Sequence, residues 1–211
     1  VFSPFRRFRE AIRENKILKE IIHTAAVIVA AMAIAMSVRS YAFAQTEVKQ
    51  ISMQNTLFEG HRLIELKIGY MFSAPKRGDI VIINKEPRNG IIEIYLANTV
   101  EFIEALFKKG NTDTYRLIKR IIGVPGDEID IREGKVYLNG ELYNETYVKG
   151  ITFPKEMKFP VSVPENEYFV MGDNREKSMD SREIGLIHKD NIEGKAVFRL
   201  WPLDKVGGLY D

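Results

Sequence analysis

The stretch Glu128–Tyr143, EIDIREGKVYLNGELY, decides the fold class. Apolar residues alternate with polar ones in two short runs, Glu128–Arg132 and Lys135–Leu138. That is the period of a half-buried strand. Glu133-Gly134 joins the runs, and Asn139-Gly140 supplies a second two-residue turn before Glu141–Tyr143. Asn139-Gly140 is a favoured pair for a two-residue hairpin turn. Working outward, HRLIELKIGY alternates from Leu63 to Ile68, and RGDIVIIN (Arg77–Asn84) is a β-branched run entered by a turn. EYFVMGDN runs from a strand into a turn, and KAVFRLWPL reads as a terminal strand closed by Pro202. Many short strands at this spacing predict an antiparallel sandwich or barrel-like fold. One segment differs: Ile92, Leu96, Ile103, Leu106 and Phe107 recur at helical period, which predicts an amphipathic helix inserted near 91–110. It would pack on the sheet or lie on a membrane surface.

The N-terminal region has another character. Residues 1–20 carry six basic and three acidic residues, +3, whereas the whole chain of 211 residues carries +2. The run Ile21–Val38 contains no Asp, Glu, Lys or Arg. As a helix it covers about 27 Å, close to the hydrocarbon thickness of a bilayer. The expected organisation is a basic cytoplasmic arm at 1–20, a transmembrane helix at 21–40 and an extracytoplasmic domain at 41–211. A buried Ala-rich core helix is the first alternative. A cleavable leader is the second, because Ala42-Phe43-Ala44 before Gln45 fits an A-x-A cleavage site.

Composition narrows the chemistry. The chain has no cysteine, which excludes disulfides, thiolate catalysis and zinc–thiolate sites. No histidine pair, HExxH or carboxylate cluster suggests a metal, and no glycine-rich phosphate loop precedes a helix, so neither metal nor cofactor is expected. The small net charge gives no push toward nucleic acid. His61 and His188 read as solvated surface residues rather than bases. A hydrolase without a suitable histidine or cysteine needs another base, and a lysine serves when burial disfavours its ammonium form. The place to look is YRLIKRIIGVPGD, where Lys119 and Arg120 interrupt an apolar run. Strand alternation sends neighbours to opposite faces, so one cation faces a core or cleft, unless this is an edge strand with both heads reaching water.

Four blocks resemble the type I signal peptidases, membrane-anchored Ser/Lys proteases that remove signal peptides. SMQNTL (Ser52–Leu57) resembles the nucleophile block, usually S-M-x-P-T-L, and KRGDIVII (Lys76–Ile83) the R-G-D-I-V block. YRLIKRIIGVPGDEIDI (Tyr115–Ile131) resembles the lysine block, and MGDNREKSMDSREIG (Met171–Gly185) the G-D-N-x-x-x-S-x-D-S-R block. The resemblance implies two antiparallel β-sheets forming a mainly β catalytic domain behind one N-terminal transmembrane helix. It implies Ser52 as nucleophile, Lys119 as general base and Ser178 as the residue that orients the lysine. Met53 and Gln50 would border the substrate, which would carry small residues at positions −1 and −3. Asp173, Asp180 and Arg182 would give structural support. The implied partners are exported precursor proteins and membrane lipid, at the cytoplasmic membrane with the N-terminus inside.

Asn55 stands where the family usually has proline, Gln50 where glycine or serine is usual, and His61 where it often has Asp. An inactive relative acting as a binding factor, or a peptidase with few dedicated substrates, are the alternatives these departures raise.

Overall fold

The structure, a computed structural model, describes residues 16–84 and 116–210. The arm before Lys16 and the expected helix near 91–110 lie outside the described residues. The chain divides into two units, 1–40 and 41–211. Helix α1 (Lys16–Ala42), most of it in the first unit, is 27 residues long, and its stretch Lys16–Ala35 is long and apolar enough to cross a membrane. Ile21, Val27, Ile28, Val29 and Ile34 on it are all exposed. The helix begins inside the segment expected to be the basic arm.

In the second unit the described residues form twelve strands in two antiparallel sheets. The larger sheet holds β1 (Phe43–Glu47), β2 (Arg62–Leu66), β3 (Ile80–Asn84), β4 (Arg116–Gly123), β9 (Glu167–Met171), β10 (Ile187–His188), β11 (Ile192–Trp201) and β12 (Gly207–Gly208). Its order is β1-β2-β11-β3-β4-β9-β10, with β12 on β11. The smaller sheet is ordered β7-β6-β5-β8, from β5 (Glu128–Arg132), β6 (Lys135–Leu138), β7 (Glu141–Leu142) and β8 (Val161–Ser162).

The expected hairpins form where the sequence places them. Glu133, Gly134, Asn139 and Gly140 all take positive φ, the backbone that twists a two-residue turn into register with its strands. The unbroken apolar run of β3 has a clear cause. Ile80 and Ile82 enter one core cluster with Met53, Leu57 and Leu63, while Val81 and Ile83 enter another with Leu117, Ile121 and Val170. A strand buried on both faces shows no alternation. The alternating strands β5 and β6 send Ile129, Ile131, Val136 and Leu138 into a third cluster with Phe169 and Met171 of β9, which seals the small sheet onto the large one. Each fully buried isoleucine among these stabilises the fold by about 2 kcal/mol.

Two features depart from expectation. The chain does not end its β structure at Pro202. It turns through Leu203–Lys205 and returns as β12 against Phe198 and Arg199. The hydroxyl of Tyr210 then accepts from the Ile80 N–H at 2.8 Å and donates to the Ala196 carbonyl at 2.7 Å. A strand made of two glycines carries no side-chain period to read. Second, the Ala42-Phe43-Ala44 motif ends α1 and opens β1, which pairs with β2 from Phe43↔Leu66 to Glu47↔Arg62.

Candidate active site

The loop after β1 makes a 3-10 turn at Ile51–Met53, entered from Gln50 in extended conformation. Met53 and Leu57 anchor it in the core, so the polar residues between them are held at the surface of that cluster. Met53, expected to border a substrate cleft, is 1% exposed and packs as core. Gln50 is exposed and its side chain does not cap the turn. The loop lacks the usual proline but is tied from several sides. The Asn174 N–H donates to the Ser52 carbonyl at 2.9 Å and the Asn174 amide to the Ile51 carbonyl at 3.1 Å. Arg199 donates to the Thr56 carbonyl at 3.0 Å, and Thr56 Oγ1 donates to Asp173.

Lys119 lies in the middle of β4, opposite Val81 of β3. It is 1% exposed. Its Nζ donates to Ser52 Oγ at 2.8 Å and to the Ile118 carbonyl at 3.1 Å. The alternative of an edge strand with both cations in water is excluded, since β4 runs between β3 and β9. Arg120 is buried as well. Its guanidinium grips Asp173 with two bonds of 2.9 and 2.7 Å, donates to the Gly78 carbonyl and lies 3.9 Å from the Tyr147 ring centroid. Burial works against that charge, but the Asp173 carboxylate holds the Arg120 group above its ordinary value.

The segment after β9 closes the site. Ser178 is 1% exposed. A Cβ placed on Gly172 would stand 2.3 Å from Ser178 Oγ and 2.4 Å from the Ser52 carbonyl oxygen. The serine pair therefore meets at a point that only glycine leaves open. Asp180 N-caps a short helix, α2 (Ser181–Ile184), and binds the Arg182 guanidinium through two bonds of 2.8 Å. Burial opposes ionisation of Asp180, yet Arg182 and the Gly172 N–H keep its carboxyl below the ordinary range. Asp173 and the Asp180–Arg182 pair thus brace the turn that carries Gly172 and Ser178.

Sequence reasoning missed a second layer. Arg175, fully buried, donates to the Gly172 carbonyl, to Thr152 and to Glu145. Glu145 and Thr152 belong to a strap, residues 145–155, docked along the site. The Lys149 N–H donates to the Asp173 carbonyl, the Arg175 N–H to the Lys149 carbonyl, and Lys149 Nζ to Gln54. Lys155 binds the Ser178 carbonyl and Glu183. The one signal for this layer was a basic residue set inside the G-D-N-x-x-x-S block. His61, expected at the solvated surface, is buried, and its Nδ1 accepts from the Phe58 N–H at 3.2 Å. Burial, then the charges of Arg199 and Lys205, lower its pKa. His188 is half-exposed, as expected.

A hydroxyl hydrogen-bonded to a buried amine is the arrangement of a nucleophile with its base. Among the described residues no group of acidic or histidine side chains fits a metal ion. The signal peptidase, peptidase S26, family profile matches residues 21–201. A probable signal peptidase I-2 of Synechocystis sp. is 35% identical over 184 residues, covering 87% of this chain and 74% of that protein. Signal peptidase I P of Bacillus subtilis subsp. natto is 31% identical over 203 residues, covering 92% and 96%. A crystal structure of a signal peptidase I from Enterococcus faecalis V583 aligns at 28% identity with a TM-score of 0.39, over 58% of this chain and 97% of that one.

Proposed function

The chain belongs to the signal peptidase S26 family, a family of serine endopeptidases, and from that membership we propose that it removes N-terminal signal peptides from exported precursor proteins with Ser52 as nucleophile and Lys119 as base. The observation that carries the assignment of roles is the 2.8 Å bond from Lys119 Nζ to Ser52 Oγ inside the protein. Neutral Lys119 takes the Ser52 proton as the oxygen attacks the scissile carbonyl. The resulting ammonium protonates the leaving amine, and water then clears the acyl-enzyme. Charge developing on the carbonyl oxygen needs donors in place, and the Ser52 N–H is the candidate nearest the nucleophile. Ser178 is assigned to orient the amine by the family resemblance: its Oγ is buried beside Gly172 and makes no hydrogen bond to Lys119 among the described residues. Asp173, Asp180 and Arg182 hold the backbone on which Ser178 sits.

The site is extracytoplasmic and single-anchored in this reading. An apolar helix with isoleucine and valine exposed along it is stable in lipid rather than water. The basic residues ahead of it keep the N-terminus on the cytoplasmic side of the cytoplasmic membrane, leaving 41–211 outside. The substrate lies extended along a strand edge beside the nucleophile loop, with small residues at −1 and −3.

The test is cleavage of a precursor ending in A-x-A by the detergent-solubilised chain. Ser52→Ala and Lys119→Ala should each abolish cleavage while the fold persists. The rate should climb as pH rises from about 6 toward 10, because the base must be neutral. A folded wild type that leaves every such precursor intact would replace this reading with a binding role.

A further inference from the structure

We infer that Lys149 is a specificity-determining residue, whose ammonium meets an acidic side chain on the leaving segment of the substrate, within the first three residues after the cut. The inference rests on the peptidase reading proposed above and adds a charge to its small-residue specificity.

Backbone bonds bring Lys149 to the nucleophile. It forms a parallel bridge with Asn174. Its N–H donates to the Asp173 carbonyl at 2.8 Å, and its carbonyl accepts from the Arg175 N–H at 2.9 Å. The Asn174 N–H in turn donates to the Ser52 carbonyl at 2.9 Å. Three backbones thus lie side by side, and two steps of about 4.8 Å separate Lys149 from Ser52. An extended substrate covers that distance in about three residues of about 3.3 Å each. The main chain of Lys149 is held from both sides, while its side chain is exposed. Its Nζ donates to Gln54 Oε1 at 3.0 Å, on the far side of the nucleophile from Gln50.

Gln54 positions this ammonium without neutralising it. The acids of the strap and the catalytic turn have other partners. Asp173 is held by Arg120, Glu145 by Arg175, Asp180 by Arg182 and Glu183 by Lys155. Glu176 accepts from the Ile151 N–H at 3.2 Å. Lys149 therefore carries its positive charge to the flank of the nucleophile turn with a neutral oxygen against it. A carboxylate that displaces the amide exchanges a neutral bond for a charge-assisted one, about twice as strong.

Size decides which side of the cut supplies that carboxylate. The residues at −1 and −3 are small in the proposed specificity and have no side chain to meet an ammonium. In an extended chain the residue at −2 points away from the face that −1 and −3 share. The complement of Lys149 therefore lies past the cut. The pair forms at the surface, so its effect is a preference of about threefold rather than a requirement.

The experiment uses the detergent-solubilised full chain and precursors that carry Glu, Gln or Lys at −2, +1, +2 or +3. It reads kcat/KM at low salt and at about 0.5 M salt. Glu should be preferred to Lys about threefold at a leaving position, through KM, and salt should shrink the ratio. Lys149→Glu should invert the ratio at that position, an outcome that a purely structural role does not give. Gln54→Glu supplies the carboxylate from within the chain and should erase the preference with Lys149 still in place. Equal rates for the three side chains, a preference at −2 alone, or a ratio that survives Lys149→Glu would overturn the inference and leave the proposed function standing. A folded wild type that cuts none of the precursors would overturn both.

Discussion

Two single residues carry consequences out of proportion to their size. Gly172 has no Cβ because Ser178 Oγ and the Ser52 carbonyl occupy its space. Gly172→Ala must push the two serines apart, and displacement of about 1 Å at reacting groups costs about a hundredfold in rate. We expect kcat/KM on a precursor to fall by about that factor while the circular dichroism spectrum is retained. An unchanged rate would mean that the turn yields without moving Ser178. Glu65 is the second case. Burial, then the neighbouring Glu193 carboxylate, push its pKa up to about 7, against the pull of Lys67, Arg116 and Thr46. Its unfolded value is near 4.5, so between about 4.5 and 7 the folded chain holds more protons than the unfolded one. The stabilisation is full below that window and is lost as pH rises through it, by on the order of 3 kcal/mol. Urea midpoints taken at about pH 5 and pH 8 should show the decline, and Glu65→Gln should flatten it. A wild type equally stable at both values would place the Glu65 charge in a better-solvated setting than the structure shows.

At the scale of elements, the strap 145–155 matters most. It has no regular structure of its own, and its order comes from bonds to the catalytic turn. Arg175 and Glu145 are both nearly or fully buried in side chain. Removing one partner of a buried pair leaves the other charge stranded, at a cost on the order of 3 kcal/mol. Arg175→Met should therefore lower the thermal midpoint sharply and loosen the strap, read as new proteolytic cuts within 145–155. Retained protease resistance there would show that the Lys149 backbone bonds suffice. The strand elements were largely legible. β3, β5, β6 and β9 sit where period and turn chemistry predicted them. The strap was not, because a segment ordered by other segments carries no period.

At the scale of the whole molecule, the described residues are an apolar helix, the proposed anchor, and a β domain on one chain. With no native cysteine, single cysteines report its topology cleanly. In right-side-out vesicles, an impermeant maleimide added outside should label Glu141→Cys, on exposed β7, and should spare Lys19→Cys until detergent is added. Labelling of Lys19→Cys first would invert the proposed orientation.

The sequence by itself determined the mainly β class, the apolar helix, the absence of thiol chemistry and, through its four blocks, the family. These follow from local rules: the strand period, the two-residue turns and the length of an uncharged run. Only the tertiary structure decided that Lys119 meets Ser52, since 67 positions separate them and the turn Ile51–Met53 reaches β4 only by packing Met53 against Ile118 in the core. It also decided that Arg120 turns to Asp173, that His61 is buried and that Arg175 holds the strap. A β4 read alone presents two adjacent cations in an apolar run. What each cation does depends on which strands flank it, and strand order is set by packing across the whole sheet, beyond the reach of any local pattern.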